Sequence, residues 1–208
     1  MYVVTEKNTN NEVVSSVYTD AYGQKVREES NGICKDYTYD RQGNVFTTYT
    51  RGVSGTNPIA PKLTVTVYDK YGRLTNTIEN PIYRNGAFTV DATQSIVKTN
   101  KYNENGNLIE ETDGKGNKTI YEYNEEGKLI KVKLSDGTEP ANETFYAYDI
   151  QNKDALGNII TTKDTTTNAL GNISESIYNG AGQLLSVEDK NTTNSIKTSY
   201  DYDIVEIK

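Results

Sequence analysis

The sequence contains no histidine, no tryptophan and a single cysteine. Without histidine there is no Ser-His-Asp or Cys-His arrangement, and no zinc site of the usual nitrogen-and-sulfur kind. Cys34 has no second cysteine for an internal disulfide and no histidine to activate it as a nucleophile. It stands in Asn31-Gly32-Ile33-Cys34-Lys35-Asp36, just before a strand-like stretch, and reads as a small hydrophobe in a sheet. No run of ~18 apolar residues occurs, so no membrane-spanning helix is expected. The opening Met1-Tyr2-Val3-Val4-Thr5-Glu6 lacks the charged-then-apolar pattern of a secretion signal and reads as the start of a piece excised from something longer. Basic side chains number 22 against 29 acidic, a net charge of −7 that argues against a nucleic-acid partner.

Apolar residues are scarce too, at 34%, below the ~45–50% of an ordinary globular domain. Disordered chains, however, lack aromatic and β-branched residues, and this one carries 17 tyrosines against 3 phenylalanines, with many threonines, valines and isoleucines. Those residues suit a pleated, half-buried surface. Tyrosine in particular pairs an apolar ring with a polar hydroxyl. The composition therefore predicts a thin, all-β structure with much of its surface near solvent.

Internal periodicity gives the organisation. The pattern Tyr-[Asp/Asn]-x-x-Gly-x-[Leu/Val] occurs five times, at Tyr39-Asp40…Gly43, Tyr68-Asp69…Gly72, Tyr102-Asn103…Gly106, Tyr123-Asn124…Gly127 and Tyr178-Asn179…Gly182. Weaker copies without the tyrosine centre on Gly23, Gly157 and Gly171, and Tyr200-Asp201-Tyr202 resembles a copy cut off before its turn. Gly23 to Gly43 spans 20 residues and Gly106 to Gly127 spans 21. The longer intervals hold insertions near 51–62, rich in Gly and Pro, and near 78–95, where Asn85-Gly86 signals a hairpin of its own. After Gly157 the intervals fall to 14 and 11, and the register there stays open.

Each unit reads as a β-hairpin. Thr119, Tyr121 and Tyr123 fall on one face of a strand, Asn124-Glu125-Glu126-Gly127 is the turn, and Leu129–Leu134 returns. The turn Ser135-Asp136-Gly137-Thr138 then leads onward. A lone hairpin is marginal in water, so the units must pair edge to edge. The expected fold is one array over 1–208 of tandem antiparallel hairpins in a curved, spiralling sheet. Roughly sixteen strands at ~4.8 Å each make it about 75–80 Å long. The recurring Tyr-x-Tyr pairs, Tyr37/Tyr39, Tyr121/Tyr123, Tyr146/Tyr148 and Tyr200/Tyr202, are expected either to form cross-strand aromatic ladders or to offer a ligand surface through Tyr37, Tyr121, Tyr146 and Tyr148.

The repeated Tyr-Asp-x-x-Gly-x-Leu motif resembles the YD repeat, also called the RHS repeat. That resemblance implies a long strip of hairpins, which in full-length members closes into a hollow shell. In bacterial toxin systems such shells enclose a toxic C-terminal domain, and in teneurins a related barrel supports cell adhesion. Two departures stand out. No Asp-Pro dipeptide of the kind implied for the RHS core segment is present, and the arginine often found before Tyr-x-Tyr-Asp is replaced by Asp36 and Ile120.

No catalytic residue, metal ligand or cofactor emerges. Glu110/Glu111 and Glu125/Glu126 read as solvated surface, and neither Gly106 nor Gly127 fits an EF-hand, since Thr112 and Lys133 fall where its final glutamate belongs. The absence of a catalytic set predicts a non-enzymatic, structural segment, and the resemblance implies a large secreted or cell-surface bacterial protein as its parent. Its partners would be the rest of a parent chain or an enclosed passenger domain. The alternative is a glycan- or protein-binding module using tyrosine faces and the inserted loops.

Overall fold

The computed structural model describes residues 1–53, 60–135 and 142–202, which hold eighteen β-strands and no helix. Sixteen of them form an open antiparallel sheet in chain order, and the other two pair with each other. The chain divides into two compact units, one of Met1–Lys101 with Thr112–Lys115, the other of Tyr102–Glu111 with Gly116–Lys208. Strands of the first unit are β1 (Tyr2–Lys7), β2 (Val13–Thr19), β3 (Lys25–Ser30), β4 (Ile33–Tyr39), β5 (Val45–Gly52), β6 (Lys62–Tyr68), β7 (Leu74–Glu79), β8 (Ile82–Arg84) and β9 (Ala87–Thr89), with β10 running Ile96–Tyr102. Those of the second are β11 (Leu108–Thr112), β12 (Lys118–Tyr123), β13 (Leu129–Ser135), β14 (Asn142–Lys153), β15 (Ile159–Thr167), β16 (Ile173–Asn179), β17 (Leu184–Lys190) and β18 (Ser195–Ser199). The proline- and glycine-rich loop near 51–62 lies largely outside the described residues, as does most of the turn after Ser135.

The hairpin turns share one construction. In Asp40-Arg41-Gln42-Gly43-Asn44 the Asp40 carboxylate accepts the backbone N–H of Gln42 at 2.8 Å and of Asn44 at 2.9 Å. The Asp40 N–H donates to the Asn44 carbonyl at 2.9 Å, and Gly43 takes a φ of +88°. That left-handed conformation costs an L-residue ~1–2 kcal/mol, which is why glycine recurs there. The same side-chain bonds form at Asp20, Asp69, Asn124, Asp154, Asn168 and Asn179. A bulge follows the turn where Tyr39 faces Val45, Tyr68 faces Leu74, Tyr123 faces Leu129 and Tyr178 faces Leu184.

Two irregularities in the repeat spacing are now explained. The turn at Gly171 joins β15 to β16, so it lies at the opposite strand end from those at Gly157 and Gly182 and links hairpins rather than centring one. The intervals of 14 and 11 are therefore two halves of one long repeat. The insertion at 78–95 folds as the β8–β9 hairpin, with Asn85 and Gly86 both at positive φ. Phe88 of that hairpin packs edge-on against Phe46 of β5, with ring centroids 5.9 Å apart, and against Tyr83 at 5.0 Å.

Little of the sheet is buried. Among the described residues only Cys34, Val65, Ser16, Thr47 and Ser186 are buried, and all but Cys34 share one register. Each lies either three residues before a tyrosine-strand end or four after a turn glycine. Those two positions face each other in Asp36/Arg27, Val65/Thr47 and Ser199/Ser186, and Ser16 faces Thr5. Strand alternation puts this row on the face away from the signature tyrosines. Where Asp36 and Arg27 occupy it they form an ion pair at 2.5 Å.

Candidate functional site

The tyrosines act as latches between hairpins. Tyr39 donates its hydroxyl to the Lys25 carbonyl at 2.6 Å, Tyr123 to the Leu108 carbonyl at 2.8 Å, and Tyr202 to the Leu184 carbonyl at 2.8 Å. In each case the acceptor lies two residues after the turn glycine of the preceding hairpin, Gly23, Gly106 or Gly182. The first tyrosine of the pair reaches the same strand: Tyr37 donates to Glu28 at 2.6 Å and Tyr121 to Glu111 at 2.5 Å. Both acceptors stand five residues after the glycine. Where Thr66 replaces the first tyrosine, its hydroxyl donates to the Val45 carbonyl instead.

This geometry differs from cross-strand aromatic ladders. Ring–ring contacts among the described residues are those of Phe46, Tyr83 and Phe88. The hydroxyls of Tyr37, Tyr39, Tyr121, Tyr123 and Tyr202 go to backbone and carboxylate acceptors because these tyrosines lie beside a return strand, not beside other tyrosines. Burial together with the Glu28 bond pushes the Tyr37 phenol up to about 12, and burial with the Glu111 bond does the same for Tyr121. Glu28, bonded to Lys25 and Tyr37 and near Lys35, is held down at about 2. Replacing Tyr123 with phenylalanine keeps the ring and deletes one latch. It is expected to cost about 1 kcal/mol, read as a lower denaturant midpoint with an unchanged slope; an unaltered midpoint would show that the latch contributes nothing.

Ionic rungs are a second cross-hairpin device. A carboxylate on a middle strand takes a cation from each side: Asp36 between Arg27 and Arg51, at 2.5 and 3.3 Å, Glu79 between Lys62 and Lys98, at 2.8 and 3.8 Å, and Glu175 between Lys190 and Lys163, at 2.5 and 2.9 Å. The lysines on both sides hold the Glu175 carboxyl below its ordinary range. Sequence reading missed these rungs because alternating charges look alike on any exposed strand; only the register picks out their partners.

The four candidate ligand-binding tyrosines are not assembled into one site. Tyr37 lies in the first unit with the Lys25 ammonium 4.6 Å from its ring centre. Tyr121, Tyr146 and Tyr148 lie in the second, and the Lys128 ammonium stands 5.5 Å from the Tyr148 ring centre. Tyr121 also borders an open depression of about 460 Å³ with Asn103, Asn107, Tyr123 and Asn124. Of the repeat-signature residues, Tyr39 and Tyr123 make latches and Tyr68 and Tyr178 stand at the bulges opposite Leu74 and Leu184, while Tyr102 ends β10. Asp40, Asp69, Asn103, Asn124 and Asn179 open the turns, with Gly43, Gly72, Gly106, Gly127 and Gly182 at positive φ. Cys34 is fully buried, and that burial raises its thiol above the ordinary range. Among the described residues no three His, Cys, Asp or Glu side chains converge as a metal site would require.

The arrangement is that of a tandem β-hairpin array. Residues 102–139, from the end of β10 past β13, match the RHS Repeat family. Two similar solved structures are the crystal structures of TcdB2-TccC3-Cdc42 and of TcdB2-TccC3. They are 11% and 12% identical to this chain over 93% of its length, each with a TM-score of 0.45. A third is the Photorhabdus luminescens Tc holotoxin pore, at 14% identity over 90% of the chain with a TM-score of 0.24. The chain spans 12% of the length of each of the first two and 14% of the third. No curated protein matches significantly.

Proposed function

We propose that this chain is a non-catalytic wall segment, a strip of RHS-type hairpins that serves as scaffold within a large exported bacterial protein of the toxin or cell-surface kind. The observation that carries the reading is where the functional groups go. The described tyrosine hydroxyls and mid-strand carboxylates are spent on joining strand to strand, and the turn carboxylates on closing their own turns. The RHS Repeat match over 102–139 supports the same reading. The parent chain, with whatever passenger it encloses, is then the main partner, and export belongs to that parent.

The binding-module alternative is weakened by the same bonds, since the hydroxyls of Tyr37 and Tyr121 are already engaged. Two measurements on the isolated chain test the proposal. A scaffold strip gives a cooperative antiparallel-sheet unfolding transition by circular dichroism and no saturable binding on a glycan array. A chain without stable sheet, or one that binds a glycan saturably, would sink it.

A further inference from the structure

Four Asn-Gly pairs occur in the chain, at 31–32, 85–86, 105–106 and 179–180, and the fold holds them differently. At Asn179 the side-chain amide is locked. Its oxygen accepts the Ala181 and Gln183 N–H groups at 3.0 and 2.9 Å, and its Nδ2 donates to Gln183 Oε1 at 2.8 Å. After Asn105 the following nitrogen is held, since the Gly106 N–H donates to the Asn103 carbonyl at 3.0 Å. Asn31 and Gly32 turn β3 into β4 inside the sixteen-stranded sheet, and the Gly32 carbonyl accepts the Val53 N–H at 2.7 Å. Asn85 and Gly86 turn β8 into β9, outside that sheet. Both are exposed, as are Arg84 and Ala87 on either side. Among the described residues neither the Asn85 side chain nor the Gly86 N–H has a hydrogen-bond partner. The strands on either side are three residues each, and so short a hairpin opens locally at little cost.

We infer that Asn85 is a site of spontaneous covalent modification, at which the Gly86 backbone nitrogen closes on the Asn85 side-chain carbonyl carbon. The bond from the Gly86 nitrogen to Cγ forms and the Cγ–Nδ2 bond breaks. The Gly86 N–H proton leaves with the amide nitrogen as ammonia. Water then opens the resulting succinimide at either carbonyl, leaving aspartate or, with the main chain rerouted through the side chain, isoaspartate. Nothing is oxidised or reduced, and water is the co-reactant. Asparagine is among the thermally labile side chains, and a following glycine has no Cβ to obstruct the approach to its nitrogen. Cyclisation needs a free side-chain amide, a free following N–H and a backbone able to leave its turn conformation. Asn85-Gly86 meets all these conditions, whereas each of the other pairs is tied at one of them. The product alters the turn. Isoaspartate lengthens the main chain in a loop whose two residues set the Arg84/Ala87 pairing, and either product adds a negative charge beside Arg84.

Peptide mapping by mass spectrometry of the folded 208-residue chain, incubated warm at mildly alkaline pH, tests this, with circular dichroism as the folding control. The Asn85 peptide is expected to gain the mass of an amide-to-acid exchange first, with isoaspartate among its products. The sheet signal should persist, because β8 and β9 stand outside the main sheet. At Asn179 the exchange should be slower by about tenfold or more, a factor that breaking its three hydrogen bonds supplies. The same chain unfolded in urea should react at all four pairs at comparable rates, since the fold no longer separates them. Asn85→Gln cannot close the same ring, so it should lose the early mass gain and leave the other three peptides as they were. An Asn85 peptide that keeps its amide in the folded chain while reacting in urea overturns the inference. So does Asn179 keeping pace with Asn85, or an early gain that persists in Asn85→Gln. Each of these results leaves the scaffold reading intact, which falls instead on a missing sheet signal or saturable glycan binding.

Discussion

Val65→Asp is expected to abolish the cooperative unfolding of the first unit. Val65 is 2% exposed and sits in a continuous cross-strand row, Thr38, Thr47, Val65, Ile78 and Val97, which runs through β4, β5, β6, β7 and β10. A carboxylate there has at most the Thr47 hydroxyl for company, and an unpaired buried charge costs several kcal/mol. Set against a typical domain stability of about 5–15 kcal/mol, and with so little else buried, that loss unfolds the unit. Val65→Thr has nearly the same shape and places its hydroxyl beside Thr47, so it should keep the fold at a cost of about 1–3 kcal/mol. Thermal and denaturant melts of the two variants make the comparison. A Val65→Asp protein melting within a few degrees of wild type would mean that this row is not the core.

Acid is expected to weaken the first unit in a defined window. Glu28 falls from an ordinary 4.5 to about 2, chiefly through its bond to Lys25 and then that to Tyr37. A carboxyl depressed by folding adds stability that is fully present above pH 4.5 and is lost as pH falls through about 2. The full linkage is worth about 3 kcal/mol as an upper bound, reduced by solvent screening because the side chain is 28% exposed. Tyr37 works in the opposite sense. Its phenol is raised from 10.0 to about 12, first by burial and then by Glu28, so its share is complete below pH 10 and disappears as pH passes about 12. A Glu28→Gln variant should therefore show a shallower fall in unfolding free energy between pH 4.5 and 2. If its pH profile superimposes on wild type, the Lys25–Glu28–Tyr37 cluster has no energetic role.

Much of the fold was legible because its local signals are strong. Asp40 and Gly43 announce a turn by chemistry that needs no tertiary partner, an acceptor side chain two residues before a backbone N–H and a residue free to take positive φ. Asn85-Gly86 did the same for the inserted hairpin. What stayed hidden depends on register. The sequence around Gly171 has the turn motif, yet it links hairpins, and only the count of strands between turns distinguishes the two roles. The buried row was hidden for a different reason. Serine and threonine at positions 16, 47 and 186 carry no hydrophobic signal, so nothing in the composition marks them as interior. The pairs Tyr37/Tyr39, Tyr121/Tyr123 and Tyr146/Tyr148 lie on strands and Tyr200/Tyr202 just beyond β18, but the hydroxyl partners Glu28 and the carbonyls of Lys25 and Leu108 belong to the preceding hairpin.

That only Cys34 and Val65 are buried apolar side chains among the described residues has a thermodynamic corollary. The heat-capacity change of unfolding rises with the apolar surface that unfolding uncovers. A sheet joined by hydroxyl latches and ionic rungs uncovers little of it, so the stability of this protein is expected to vary gently with temperature. Its curve is broad and low where that of a thick-cored domain is tall and narrow. Its resistance to cold follows from the same shallow curvature, since there is little hydrophobic driving force to fade on cooling.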